Sequence, residues 1–207
     1  MKSEIYDKMF LEDPSYGSRR GFDEINKKRM ALCLQYFVKG QKIADIGCGY
    51  GLQAKHLHER GFNVHAFDFS EEAIRIAKNK NKGPFYKRLD FENERFKEKF
   101  EGAYSFDVIE HIHNFPKYLQ NIHDSLKIGG YLILTAPNIL APKTRLKMLF
   151  GIVEEFASIE HIHFFSPASL SKALRKAGFK EIKIIGSGRV AFLGPRYSGC
   201  LYAVCKK

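Results

Sequence analysis

Two short runs in this sequence hold residues whose types and spacing can do chemistry. The first is IADIGCGYG, in which Asp45 is followed by Gly47, Cys48, Gly49 and Gly51. Glycines at alternate positions let the backbone turn sharply and approach a ligand closely, and a helix amino terminus behind them can hold a negative group. Asp68 closes the next apolar run, where a carboxylate can accept both hydroxyls of a ribose. The nicotinamide fingerprint G-x-G-x-x-G does not fit, because its third glycine would fall on Leu52. A nicotinamide enzyme is therefore an outsider, which failure to bind NAD would dismiss. The second run is the pentapeptide IEHIH, present at Ile109–His113 and again at Ile159–His163. Each copy sets a carboxylate beside two imidazoles. If a helix starts at Asp107, then Asp107, Glu110 and His111 share one face of it.

Positioning these residues requires regular elements. KIADI is a short buried strand that runs into the glycines, and Leu52–Arg60 has helix composition. NVHAF is the next strand. Ser70 followed by Glu71 and Glu72 predicts a capped helix running to about Lys80. Strands follow at Pro84–Leu89, Gly102–Phe106 and Tyr131–Ala136, with a helix at Pro116–Leu126 before the last of them. Pro142–Ser158 reads as an inserted helical segment, Ser166–Ala177 as a capped helix, and KEIKIIG and GCLYAVCKK as closing strands. Strand and helix alternating at this spacing predict an α/β fold, a parallel sheet with helices on both faces. The flanks of the two IEHIH copies do not match, which argues against an internal duplication.

The gross numbers set bounds. A chain of 207 residues, 44% hydrophobic and 28% charged, suits one soluble domain, with residues 1–40 as a helical cap and 137–165 as an insert after the fifth strand. The amino terminus carries no signal-like or membrane-spanning run. The four cysteines form no CxxC pair, which excludes zinc ribbons and thioredoxin-like chemistry and points to reduced thiols in the cytoplasm. A formal charge of +11 favours anionic partners, although lysines and arginines are spread along the whole chain.

With these residues in place, the chain resembles the class I S-adenosylmethionine-dependent methyltransferases, in particular the small-molecule O-methyltransferases such as those of ubiquinone biosynthesis. DIGCGYG is similar to that family's cofactor loop, AFDFS to its ribose-binding strand end, and LDF to the place where an acid meets the adenine amino group. LKIGGYLILTAPN and HIHFFSPASLSKALRKAGF resemble its fifth strand and penultimate helix. The resemblance implies a Rossmann-like seven-stranded sheet, mostly parallel, of order 3-2-1-4-5-7-6 with strand 7 antiparallel. It also implies S-adenosylmethionine as cofactor and S-adenosylhomocysteine as product. The cofactor residues would be Arg29, Asp45, Gly47, Cys48, Gly49, Gly51, Asp68, Phe69, Asp90, Phe91 and Phe106. Arg29 would meet the cofactor's carboxylate, and Phe69, Phe91 and Phe106 could sandwich the adenine.

In the ubiquinone-type and small-RNA members, the acid-x-x-Glu-His pattern after strand 4 is associated with a divalent metal. Here it corresponds to Asp107, Glu110 and His111, with Asp107 in place of the more usual glutamate and Glu101 opening the strand. His161 falls where the RNA group supplies a further histidine. The expected reading is a methyltransferase of class EC 2.1.1.-, moving a methyl by S_N2 transfer to a hydroxyl of a small metabolite, which the net charge allows to be anionic. Asp107, Glu110, His111 and His161 would be its catalytic set, holding Mg²⁺ or Mn²⁺.

Alternatives stay open. The same four residues could line a pocket or form hydrogen bonds without metal. The acceptor could be RNA, through 2′-O-methylation, or the chain could be a cofactor-binding regulator without catalysis. Arg29 could be a surface arginine, Phe91 a core residue, and His113 and His163 ordinary. Tyr16, Arg19 and Arg20 sit in an amino-terminal loop that could close over the site, and the Ile139–Ser158 insert could be a lid, a dimer contact or a membrane-surface helix.

Overall fold

The computed structural model describes residues 24–151, 161–186 and 194–207. Tyr16, Arg19 and Arg20 lie outside the described residues, as do Ile159 and Glu160 of the second IEHIH copy. In chain order the elements are α1 (Glu24–Tyr36), β1 (Lys42–Ile46), α2 (Leu52–His58), β2 (Asn63–Asp68), α3 (Glu71–Lys80), β3 (Phe85–Arg88) and β4 (Phe100–Ser105). They continue with α4 (Phe115–Ser125), β5 (Leu126–Pro137), α5 (Pro142–Leu149), α6 (Pro167–Lys176), β6 (Lys180–Gly186) and β7 (Cys200–Lys206). Single 3-10 turns occupy Ile109–His111 and Pro195–Tyr197.

The strands form one seven-stranded sheet in the order β3-β2-β1-β4-β5-β7-β6. All pairings among β1 to β5 are parallel, and β7 runs antiparallel to both β5 and β6. This is the Rossmann-like order that the resemblance implied. Successive strand residues face opposite ways, and the two faces separate cleanly. Ile43, Val64, Tyr104, Ile133 and Val204 pack with α1, α2 and α3, whereas Ala44, Phe67, Ala103, Leu132 and Ala203 pack with α4 and α6. Large residues such as Phe100, Tyr104, Tyr118 and Leu132 are almost fully buried, and each contributes roughly 1.5–3 kcal/mol by leaving water.

Helix starts follow the expected chemistry. Ser70 Oγ accepts from Ala73 N at 3.0 Å and caps α3, while Ser166 and Ser169 form a reciprocal capping box at α6. Three elements differ from the sequence reading. β5 begins at Leu126, not Tyr131, through an irregular stretch in which the register against β4 shifts between Phe100 and Gly102 and Gly129 takes φ 81°. Gly130 approaches the Glu101 carbonyl too closely for any Cβ, and Lys207 N donates to Gly130 O at 2.9 Å. The inserted helix α5 stops at Leu149, and Gly151 follows in the left-handed region; residues 152–160 lie outside the described residues. Asp107 does not open a helix. Its φ is 56°, and only the 3-10 turn Ile109–His111 follows.

Candidate active site

The glycine loop is built where β1 ends. Gly47 N and Cys48 N both donate to the Phe67 carbonyl, at 2.8 and 2.9 Å, which folds the loop back onto β2. Gly47 has φ 80°, and a Cβ there would overlap the Val108 side chain. Gly51, with φ 78°, starts α2, and its missing Cβ leaves room for the Tyr86 ring. Gly49 is different: nothing lies within 4 Å of the place a Cβ would occupy. Its amide donates to Asp68 Oδ2 at 2.8 Å, and Ser70 N donates to Asp68 Oδ1 at 2.9 Å. Asp68 thus ties the loop to the start of α3 while staying at the carboxyl edge of the sheet, where open α/β sheets bind ligands.

Asp45 lies beneath this loop and is buried. Burial, helped by the charge of Asp68 and opposed by the Tyr104 hydroxyl, pushes its carboxyl up to about 8. Its Oδ2 has no hydrogen-bond partner. Cys48 is buried too, and burial raises its thiol well above the ordinary value, which disfavours the nucleophilic thiolate. Phe69 lies under the Arg88 guanidinium, 5.4 Å from ring centre to Cζ. Asp90 holds its own turn, accepting from Glu92 N and from the Asn93 side-chain amide. Phe91 is a core residue, 4% exposed, with its ring near Phe96 and Tyr118 on the α4 face. Phe106 stacks near Tyr104 on the opposite face.

Arg29 is brought to the same edge by α1, which is fastened to α2 by a 2.8 Å bond from Gln53 Nε2 to Asn26 Oδ1. Its guanidinium lies 5.2 Å from the Phe106 ring centre and donates from Nη2 to Asp107 Oδ2 at 2.5 Å. The Arg29 side chain is only 11% exposed, and its Nε has no hydrogen-bond partner. It is not a surface arginine.

The two IEHIH copies meet. Phe165 bridges to Asn138, and Ile139 N donates to Phe165 O at 3.0 Å, which lays residues 161–165 along the edge beyond β5. Ile162 N and His163 N then donate to the Glu110 carbonyl at 2.9 and 3.2 Å. As a result the His111 and His161 rings lie 4.9 Å apart, and one ligand atom each from Glu110, His111 and His161 falls within 4.8 Å of the others. Glu110 is 2% exposed, its Oε2 has no partner, and burial, with the charge of Asp107 second, pushes its carboxyl up to about 8. A buried carboxylate oxygen lacking a donor, beside two imidazoles, is a donor set that fits a divalent cation. Asp107 is outside this group. The second histidines do different work: His163 Nε2 meets the His113 carbonyl at 3.2 Å, and the His113 ring faces Glu92.

Several residues with a part in this edge escaped the sequence reading. Thr135 Oγ1 accepts from Asp107 N and donates to Asp107 Oδ1, both at 2.8 Å. Tyr202 lies directly across from Thr135 in the β5–β7 pairing, near enough to Arg29 for the two groups to influence each other's charge. Val108 roofs Gly47, and Tyr86 donates to Asn81 O behind Gly51. The only local signal was a threonine at the end of an otherwise apolar strand.

Comparison with known proteins agrees with this architecture. The family described as a methyltransferase domain matches residues 18–184. The mitochondrial ubiquinone biosynthesis O-methyltransferase of Rattus norvegicus is 32% identical over 72% of this chain and 47% of its own length. A ubiquinone biosynthesis O-methyltransferase of Dechloromonas aromatica is 23% identical over 72% of this chain and 68% of its own. The chain spans about half the length of the mammalian relatives it matches. A solved S-adenosylmethionine-dependent methyltransferase from Thermotoga maritima superposes with a TM-score of 0.74 at 21% identity, covering 100% of both chains. With the glycine loop, the sheet order and a match spanning most of its residues, the chain belongs to the methyltransferase domain family.

Proposed function

We propose that this protein is an S-adenosylmethionine-dependent methyltransferase that methylates a hydroxyl of a small metabolite with the help of a divalent metal. The observation that carries the metal-assisted part is the convergence of Glu110, His111 and His161, drawn from both IEHIH copies, with Glu110 two residues after Val108, which roofs Gly47. Methyl transfer from a sulfonium needs alignment more than activation: the acceptor oxygen bonds the methyl carbon as the carbon–sulfur bond breaks and sulfur keeps the electron pair. An acceptor hydroxyl must also lose its proton.

In this reading the glycine loop and Asp68 hold the nucleoside end of the cofactor, with Phe69 and Asp90 at the adenine. Arg29, whose Nε lacks a partner, holds the carboxylate end. Glu110, His111 and His161 would hold the metal, and Mg²⁺ or Mn²⁺ there would lower the pKa of the acceptor hydroxyl. Relatives named for ubiquinone biosynthesis support an oxygen acceptor. RNA is the second reading, favoured by the net charge of +11.

The test is transfer of radiolabelled methyl from S-adenosylmethionine into a cell extract, separated into RNA, lipid, protein and small-molecule fractions, with and without EDTA. Label in the small-molecule fraction that EDTA removes is the expected result. Label in RNA promotes the second reading, and EDTA-resistant label eliminates the metal.

A further inference from the structure

We infer that Asp107 is a positioning residue for Arg29 at the carboxylate end of the cofactor, and not a fourth metal ligand. The inference rests on the cofactor reading above. Both oxygens of the Asp107 carboxylate are committed away from Glu110, His111 and His161: Oδ1 accepts from Thr135 Oγ1 at 2.8 Å and Oδ2 from Arg29 Nη2 at 2.5 Å. The backbone is committed as well. Asp107 N donates to the same Thr135 hydroxyl, and the residue sits at φ 56°, outside the helical region that would aim it along the Glu110–His111 face.

The pair stands on a prepared base. Thr135 and Tyr202 are direct cross-strand partners; one holds Asp107, and the other lies close to Arg29. By strand alternation both face the α1 side, as Ile133 and Val204 do. The planar guanidinium is thus fixed by Asp107 at one nitrogen and by Phe106 beneath it, while Nε has no partner in the protein. An arginine held in this way is pre-oriented for a bidentate or charge-assisted contact with an incoming carboxylate. The side chain of aspartate is one methylene shorter than that of glutamate, so at this position it reaches Thr135 and Arg29 and falls outside the metal-ligand group.

Calorimetry on the full chain tests this with two nucleoside ligands and one ion. S-adenosylhomocysteine carries the amino-acid carboxylate, and 5′-methylthioadenosine lacks it. Asp107→Asn is expected to weaken S-adenosylhomocysteine by tenfold or more, to leave 5′-methylthioadenosine within about twofold, and to leave Mn²⁺ affinity within about twofold. Thr135→Val should weaken S-adenosylhomocysteine in the same selective way by about threefold. In an Arg29→Gln background, Asp107→Asn should add no further loss, because the effect runs through Arg29. Loss of Mn²⁺ affinity with S-adenosylhomocysteine unchanged would overturn the inference, as would equal weakening of both nucleoside ligands. If the wild-type chain binds no Mn²⁺, the metal reading falls while the nucleoside comparison still decides the role of Asp107. If it binds no S-adenosylhomocysteine, both the cofactor reading and the inference fall.

Discussion

Gly47 and Asp45 show how much a single position carries in this protein. Gly47→Ala adds a methyl group that overlaps Val108 and forces an L-residue to φ 80°. The expected cost is roughly 1–3 kcal/mol of stability in urea titration, together with a tenfold or greater loss of S-adenosylhomocysteine binding. Asp45 sets a pH dependence whose sign follows from its environment. Its carboxyl rises from an ordinary 3.8 to about 8 on folding, through burial first and Asp68 second, with the Tyr104 hydroxyl opposing. Cys48, Cys33, Tyr86 and Tyr118 also feel or face its charge. Between these two values the folded state keeps a proton that the unfolded state gives up, so Asp45 makes stability fall as pH rises from about 4 to 8. Asp45→Asn should flatten that part of the melting-temperature profile of the cofactor-free protein; an unchanged slope would show that Asp45 is ionised in the fold. The glycine loop was legible because its chemistry is local, with every residue within a few positions of the next. The Arg29–Asp107 pair was not, because its partners are 78 residues apart and each alone fits a surface helix or a metal set.

Elements were read well where caps and alternation marked them. Ser70 and Ser166 start α3 and α6 as their residue types demand, and the apolar runs that read as strands form β1, β2 and β5 of the sheet. Misreadings came where β5 starts ahead of Tyr131 through an irregular stretch at Gly129–Gly130, and where a side chain overrode helix geometry, as Thr135 does at Asp107. Asn138 is the element-scale feature that holds the far end of the site. Its amide donates to the carbonyls of Pro195, Arg196 and Ser198 at 3.0, 3.2 and 2.7 Å, and its Oδ1 accepts from Leu140 N. Asn138→Ala would take this donor from the buried Ser198 carbonyl, at a cost of about 2 kcal/mol. Hydrogen exchange should show the β7 entrance and residues 161–165 loosening before the rest of the sheet does.

For the whole molecule, the sheet order followed from the family resemblance together with alternating strands and helices, and the same resemblance set His161 beside Glu110 and His111, although the contact itself depends on the path of the chain after β5. Binding at that meeting point should register in global stability. Mn²⁺ at about a hundred times its dissociation constant would add roughly 2.7 kcal/mol, seen as a higher melting temperature that His161→Ala abolishes; no shift in the wild-type protein would remove the metal. The shared Glu110 carbonyl has a further consequence for dynamics. The amides of Ile162 and His163 both end on it, while the carboxyl of the same residue faces His111 and His161. Glu110 is thus the latch of this edge and, in the proposed metal reading, a ligand within it. Any ion that grips the carboxyl also fastens the latch, so those two amides should be the first reporters of occupancy, slowing their exchange with solvent before any distant amide responds.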